Sequence, residues 1–277
     1  MFTETCREVV AWYTANAAVI FVVLVGTAIL TERMRRGSGH QRGSDRTSIT
    51  SGLAFLVAKG VIGKLAATSL ALFVYDHFRL FTLDVGSPVV WVAVFVLRDL
   101  VYYWVHRAEH RVRVLWASHM VHHSPETIGF TTAVRVPWME AVYKPWFGLW
   151  VPLLGFHPVA AIALDVLAAT YAQLYHTESV RRIPVLERIF VTPSAHRVHH
   201  GSNPEYIDKN FGATFIVWDR MFGTYEPEVA PVRYGIGAKR IESPTQALVG
   251  GYPALATEVR SIARWRDRVR YVVAPPA

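Results

Sequence analysis

The sequence has very little cysteine: Cys6 is the only one among 277 residues. A single cysteine cannot form an internal disulfide, and it cannot build a metal site from several thiolates. Any metal centre in this chain would therefore have to rely on histidine. The first apolar run also lacks the basic segment and the small-residue cleavage site of a secretory signal, so we expect it to remain as a membrane helix.

Charged residues are scarce as well, at 18% of the chain, whereas 52% of the residues are hydrophobic and the mean hydropathy is +0.24. Several apolar runs approach the roughly 20 residues that cross a bilayer as a helix. The net charge is +8, and many arginines lie beside the apolar runs. That placement favours anionic lipid head groups over nucleic acid as their partner. The composition predicts an integral, multi-pass membrane protein.

Three spans are predicted before the histidine-rich part of the chain, at 11–30, 49–75 and 88–105. The arginine-rich loop 31–48 is predicted to be cytoplasmic by the positive-inside rule. The third span then returns the chain to the cytoplasmic side. Proline and glycine interrupt 141–175, which we expect to enter the membrane and return as a hairpin with a short arm and a longer arm at 158–175. Both histidine-rich segments would then face the cytoplasm.

Lys59 and Lys64 interrupt the predicted second span, and a lysine in the middle of a bilayer costs about 2.5–3.5 kcal/mol on insertion scales. The sequence leaves three explanations open. The lysine side chains could extend to the interface, or the span could begin later. Alternatively, a lysine could pair with an intramembrane carboxylate, for which Asp165 is the candidate.

The whole chain, 1–277, is predicted to be one all-α domain with about four or five membrane helices, including the hairpin, and a cytoplasmic helical cap. Its expected segments are membrane helices at 11–105, a first histidine cluster at 106–140, the membrane hairpin at 141–175, a second histidine cluster and cap at 176–249, and an amphipathic C-terminal segment at 250–277. Residues 253–271 are predicted to form either an amphipathic helix on anionic lipid or an ordinary solvated surface helix.

Histidine is concentrated in this chain, because five of its 12 histidines fall within 106–123. Nine histidines are candidate metal ligands: His106, His110, His119, His122, His123, His176, His196, His199 and His200. His106 and His110 are one helical turn apart and share a face. In each His-x-x-His-His unit, at 119–123 and 196–200, the first two histidines share a face and the third points about 100° away. Each unit can therefore supply two ligands to one metal and one to its neighbour.

Neutral imidazole binds iron, zinc, copper and nickel. A zinc site needs only three or four ligands, so nine histidines are too many for one ion and predict two. A metal-bound histidine also needs an acceptor for its other ring nitrogen. The candidate acceptors are Asp99, Glu109, Glu126 and Glu178. The remaining histidines, His40, His77 and His157, are predicted to lie outside the site.

At these residues the chain resembles the fatty acid hydroxylase / sterol desaturase superfamily, which carries His-x-x-x-His and two His-x-x-His-His boxes in this order. The resemblance extends over about 95–228. Leu-Tyr-His-Thr-Glu at 174–178 and Ile-Asp-Lys-Asn at 207–210 look most like the alkylglycerol monooxygenase branch. The resemblance implies a di-iron, O₂-dependent membrane enzyme with a four-helix transmembrane core and a cytoplasmic cap. Its expected reaction is hydroxylation or desaturation of a sterol, a fatty acyl chain or an ether lipid.

Two sequence features concern the branch of the family and the source of electrons. Arg111 follows His110, whereas the first box of the alkylglycerol branch looks like His-x-x-x-His-Glu. No haem-binding His-Pro-Gly-Gly is present, since Val159 follows His157-Pro158. We therefore expect an external electron donor, either a reduced pterin or a separate redox protein.

The alternative is a membrane metal transporter or metal-binding protein that uses the histidine cluster without redox chemistry. Such a protein normally threads ionisable residues through its membrane helices. The residues that qualify here are few: Lys59, Lys64, Arg98, Asp99 and Asp165. They do not form a good ligand set, so the sequence favours the oxidoreductase.

Overall fold

The computed structural model describes residues 42–237 and 241–276, together with isolated positions between 19 and 34. No strand occurs in this part of the chain, and one isolated bridge joins Phe190 and Phe215. The all-helical fold is therefore confirmed. Apart from those isolated positions, the predicted span 11–30 and the loop 31–48 up to residue 41 lie outside the described residues.

The earlier helices are α1 (Arg42–Ala58), a π-helical segment (Lys59–Ala67), α2 (Thr68–Phe78), α3 (Pro88–Arg111), α4 (Arg113–His123), α5 (Phe130–Ala133), α6 (Glu140–Phe147), α7 (Trp150–Leu153) and α8 (Pro158–Tyr175). The later helices are α9 (Pro193–His199), α10 (Val217–Met221), α11 (Pro244–Val249), α12 (Tyr252–Ser261) and α13 (Trp265–Val273), with 3₁₀ turns at Leu186–Arg188 and Pro204–Tyr206.

Two of the described helices, α3 and α8, are long and apolar enough to cross a membrane, with mean hydropathies of 1.5 and 1.3. Both begin with a proline, which fits the first helical turn because its missing N–H has no partner there anyway. Their outward surfaces are apolar: Val92 is 63% exposed and Leu167 is 50% exposed. The α8 helix coincides with the predicted longer arm of the hairpin, whereas α3 continues six residues beyond the predicted end at 105.

An apolar core holds α3, α7 and α8 together. Its buried residues are Val94, Val151, Phe156, Ala160 and Leu164. The chain passes very close to itself at Gly155, whose φ is +96° and where a Cβ would overlap the Phe81 carbonyl. Glycine is the residue that tolerates this backbone conformation without a side-chain clash.

Asp165, the candidate partner for a lysine in one of the three explanations, has an arginine as its partner in the structure. Asp165 on α8 pairs with Arg98 on α3, with 2.5 Å between its Oδ1 and the Arg98 Nε. Arg98 reaches Asp165 because the two helices are packed against each other, whereas Lys59 lies 5.8 Å from the ring centroid of Phe55 on its own helical run. The side chain of Lys64 lies outside the described residues. The helical run that carries both lysines extends without a break from 42 to 78, wider than the predicted 49–75.

The predicted single helix over 253–271 is also corrected, because the structure has two helices there, α12 and α13. Leu255 of α12 is buried, and the chain is extended at Ile262 and Arg264 between the helices. Arg113 at the start of α4 holds the end of α13, because its N–H donates to the Ala274 carbonyl (2.9 Å) and its side chain donates to the Tyr271 carbonyl (2.7 Å). The bend lets both helices contact α4.

Asp99 joins α3 to the segment before α10. It is fully buried, and its two oxygens accept hydrogen bonds from the N–H groups of Thr214 and Phe215 and from the indole of Trp218, each at 3.0 Å. Asp99 was a candidate acceptor for a histidine. Its carboxylate is instead engaged by these backbone and indole donors.

We predict that Asp99→Ala destabilises the fold, because it leaves three donors without their acceptor. One buried unsatisfied group costs about 1–3 kcal/mol, so the apparent Tm in detergent should fall by roughly 5 °C or more. Thermal unfolding of the purified chain measures this. Asp84→Ala, in the exposed loop before α3, serves as the control. Equal effects of the two substitutions would contradict this role of Asp99.

Candidate metal centre

The structure brings all nine candidate histidines together in two adjoining groups. The first group is His106, His110, His119, His123 and His199, and the second is His122, His176, His196 and His200. Within each group the ligand-capable atoms lie within 4.8 Å of one another. All nine side chains are buried except His122, which is half-buried.

Four elements deliver these side chains. The end of α3 carries two, α4 carries three, α9 and its last turn carry three, and His176 follows α8 directly. His119 and His123, four residues apart, join the first group, while His122 joins the second. The expectation that histidines three residues apart share a group is therefore wrong. In α9 and its last turn, too, the two histidines four residues apart share a group. Residues four apart differ by about 40° around a helix, against about 60° for residues three apart.

The Nε2 atoms point towards one another inside each group. In the first group His119 Nε2 lies 3.1 Å from His106 Nε2 and 3.2 Å from His123 Nε2. In the second group His196 Nε2 lies 2.7 Å from His176 Nε2 and 3.0 Å from His200 Nε2. The two groups meet where the rings of His123 and His200 stack with centroids 4.4 Å apart.

The outer ring nitrogens are held by the protein backbone at three of these histidines. The Nδ1–H of His106 donates to the Phe211 carbonyl (2.8 Å), that of His199 to the Lys209 carbonyl (3.0 Å) and that of His176 to the Ala172 carbonyl (2.6 Å). Donation from Nδ1 fixes the tautomer in which Nε2 carries a lone pair. These hydrogen bonds therefore aim unprotonated nitrogens into the groups.

This arrangement fits a cation. His106 and His119 both donate through Nδ1, so their Nε2 lone pairs face each other across 3.1 Å with no proton between them. The Nε2 of His199 is buried and has no hydrogen-bond partner. Buried polar atoms without partners are costly. A positive ion between such nitrogens removes the cost.

The histidines are also in the protonation state that metals bind. Burial lowers the pKa of His119, His122 and His123 well below the usual value, and the same holds for the pKa of His196 and His200. Burial lowers the pKa of His176 to about 3 and that of His199 to about 4. Metal ligation requires neutral imidazole. At neutral pH these side chains can therefore bind an ion without first losing a proton.

A buried carboxylate pair supports His119 from outside the first group. Glu140 Oε1 lies 3.1 Å and Glu109 Oε2 lies 3.6 Å from His119 Nδ1. The Lys144 ammonium lies 2.5 Å from Glu140 and 3.2 Å from Glu109, so it offsets part of their charge. The Tyr143 hydroxyl donates a further hydrogen bond to Glu109.

Of the candidate acceptors, the structure places only Glu109 in this arrangement, since Glu126 and Glu178 are exposed. Glu140 was not foreseen, although its spacing to Lys144 marks one face of a short helix. Asp208 was not foreseen either, and its Oδ1 lies 3.8 Å from His110 Nδ1. His77 is exposed and His157 caps α8, so both lie outside the groups as expected. His40 lies outside the described residues.

The segment that supplies the Phe211 carbonyl is fixed by Asp219. Its carboxylate accepts hydrogen bonds from the N–H groups of Phe211 (2.7 Å) and Gly212 (2.8 Å). Burial raises the pKa of Asp219 to about 6 in spite of these hydrogen bonds. Asp208 and Asn210 have positive φ in the same segment. The backbone is thus shaped to present its carbonyls to the first group.

Arg197 fixes the third box on the helix face turned away from the groups. Its guanidinium forms two hydrogen bonds with the Glu228 carboxylate (2.9 and 2.6 Å) and two with the carbonyls of Thr177 (3.0 Å) and Val180 (2.8 Å). These contacts connect α9 to the segment that follows His176. Arg197 therefore holds two of the elements of the second group in place.

We predict that Arg197→Lys lowers the apparent Tm by several degrees, because a lysine ammonium keeps the charge but cannot form the same four hydrogen bonds. Thermal unfolding without added metal measures this contribution independently of ion binding. The matched control is Arg188→Lys, at an exposed position on the adjacent 3₁₀ turn. If both substitutions leave the Tm unchanged, Arg197 does not hold the box in place.

The fold and these two groups define a helical protein with a three-box histidine centre. Residues 91–224 match the family model described as fatty acid hydroxylase. Alkylglycerol monooxygenase of Xenopus tropicalis is 34% identical over 81% of this chain and 50% of its own length, and the Homo sapiens protein of that name is 35% identical over 83% and 51%. The chain therefore carries a fatty acid hydroxylase domain at 91–224.

A more distant relative is the ornithine lipid hydroxylase of Rhizobium tropici, which is 28% identical over 51% of this chain and 43% of its own length. The chain spans about half the length of these alkylglycerol monooxygenases. No solved structure matches the chain.

Proposed function

We propose that this chain is an integral membrane oxidoreductase that holds two iron ions and uses O₂ to oxidise a C–H bond of a lipid. The observation that carries the proposal is the division of nine buried histidines into two adjoining groups with inward-facing nitrogens. The names of its relatives, which include monooxygenases and hydroxylases of lipids, support the same class of reaction.

Each group would hold one ion, through five histidines in the first and four in the second. Two irons at these positions would supply the O₂ activation that an unactivated C–H bond requires. The protein keeps the imidazoles neutral by burial and directs their Nε2 atoms inward through backbone carbonyls. The Glu140 carboxylate orients His119, and Lys144 offsets part of the negative charge beside it.

The overall stoichiometry requires a reductant. Hydroxylation places one oxygen atom of O₂ in the C–H bond and releases the other as water, consuming two electrons and two protons. Desaturation removes two hydrogens from the lipid and, with the same two electrons and two protons, releases two waters. We propose that the electrons come from an external donor, either a reduced pterin or a separate redox protein.

The lipid would reach the centre from the bilayer. The π-helical segment, α2 and α6 form an apolar groove lined by Ile62, Ala67, Leu70, Val142, Pro145, Trp146 and Leu149. On α6 the groove residues lie on the face opposite Glu140 and Lys144, by helix geometry. A hydrocarbon chain in this groove would therefore lie next to the element that orients His119. Sterol, fatty acyl and ether lipids all carry such a hydrocarbon portion.

This function implies a single domain with several spans and a histidine centre facing the cytoplasm. The exposed apolar surfaces of α3 and α8 support the spans. The transporter alternative gains no support from these helices, because Arg98 and Asp165 neutralise each other and do not form a path of ligands.

We predict that His199→Ala and His122→Ala each reduce bound iron and abolish lipid oxidation, because each removes a nitrogen from one group. Iron per chain, measured by elemental analysis after loading with Fe²⁺, should fall by about half or more. His77→Ala is the control, since that histidine is exposed and distant from both groups. Normal iron content and full turnover in either His199→Ala or His122→Ala would show that the ligand assignment is wrong.

The reaction itself can be tested with the purified chain in lipid nanodiscs that contain a total membrane lipid extract. With Fe²⁺, a reduced pterin or chemical reductant and ¹⁸O₂, we expect a lipid product detectable by mass spectrometry. Incorporation of ¹⁸O identifies hydroxylation, and loss of two hydrogens identifies desaturation. Metal flux across liposomes without O₂ consumption would instead establish the transporter.

A further inference from the structure

The last helix, α13, presents an apolar stripe to its surroundings. Trp265 is 68% exposed, Val269 54% and Val273 56%. These residues are four apart, so they form one continuous strip along the helix. No residue of α13 is buried. An exposed apolar strip of this kind marks a contact with a membrane or a partner.

The strip faces away from the rest of the protein. Tyr271 lies on the opposite side of α13, where its hydroxyl donates to Glu258 (3.1 Å) and its ring lies 3.8 Å below the Arg113 guanidinium. Because Tyr271 is the residue through which α13 packs on the protein, Trp265 and Val269 are directed outward.

Arginines border the strip. Arg266 lies on one side of it and Arg268 on the other, by helix geometry, and Arg264 and Arg270 lie nearby. Asp267 is the one acidic residue in this helix. The combination of an apolar strip with flanking arginines is the pattern of helices that lie in the head-group layer of a bilayer. The positive charge matches anionic head groups.

The position of α13 agrees with such a contact. Arg113, which holds its end, is two residues beyond the last residue of α3. The α3 helix is one of the two apolar helices that can cross a membrane. If α3 spans the bilayer, α13 is therefore attached close to the level where that helix leaves the hydrocarbon, on the side of the histidine groups.

We propose that α13 is a lipid-surface contact that takes anionic phospholipid head groups, with Trp265 and Val269 in the acyl boundary and the arginines at the phosphates. This contact goes beyond the oxidation of lipid, because no residue of the histidine groups takes part in it. It resolves the two interpretations that the sequence left open for this segment in favour of the membrane.

The test uses the full chain with Cys6→Ser and Val269→Cys, labelled at the introduced thiol with a small fluorophore. The chain is placed in nanodiscs of phosphatidylcholine alone or of phosphatidylcholine with 25% phosphatidylglycerol, each with a doxyl-lipid quencher. A matched label on Asp267→Cys reports an exposed position on the opposite side of the same helix. We expect at least twofold stronger quenching at 269 than at 267 in the anionic discs, and weaker quenching at 269 in the neutral discs.

Replacing Arg266, Arg268 and Arg270 by glutamine should reduce quenching at 269 in anionic discs to the value in neutral discs. Equal quenching at 269 and 267 would overturn the proposal, and so would a 269 signal that is insensitive to lipid charge and to the arginines. Disulfide crosslinking of two unlabelled Val269→Cys chains would show that the strip meets a second copy instead. Iron content measured in the same samples reports the histidine groups separately, so failure of this contact is distinguishable from failure of the proposed function.

Discussion

Burial of nine histidines with their ring nitrogens directed at one another is the constraint on which the rest of this structure depends. Such an arrangement is unfavourable in an empty protein interior, since lone pairs repel and buried acceptors need partners. It is favourable around cations. The buried Nε2 of His199 has no hydrogen-bond partner, and the Nε2 lone pairs of His106 and His119 face each other, so a bound cation would supply the missing partner.

The surrounding structure is organised to hold these imidazoles in orientation. Backbone carbonyls at Phe211, Lys209 and Ala172 receive their outer N–H groups. Those carbonyls are fixed in turn by side chains such as Asp219, which binds the two N–H groups at 211 and 212. Polar networks of this kind are stable only when every member is satisfied. Much of the segment 201–216 therefore serves to orient rings that it does not itself contribute.

The sequence allowed the nine histidines and the helical class to be predicted, because the three boxes have short, regular spacings and the apolar runs have helix-like lengths. The limits of α8 were also predictable, since Pro158 opens it and His176 follows its end. The division of the boxes between the two groups was not. Residues three and four apart both share a helix face, and only the packing of α4 and α9 against α3 and α8 decides between them.

Other features depend on contacts between segments that are distant in the chain. Glu140 is 21 residues from His119, and the α6 helix that carries it has no histidine to mark it. The Arg98–Asp165 pair joins positions 67 residues apart. The bend between α12 and α13 depends on Arg113, which no local pattern identifies. The pattern of a single sequence shows the periodicity of each helix, but it does not show which other helix packs against it.

The two groups are interleaved, because α4 and α9 each contribute to both of them. A rotation of α4 that moved His122 towards the second group would also move His119 and His123 away from the first group. The two groups thus share the helices that support them. A substitution that shifts α4 or α9 is therefore expected to alter both ion positions at once.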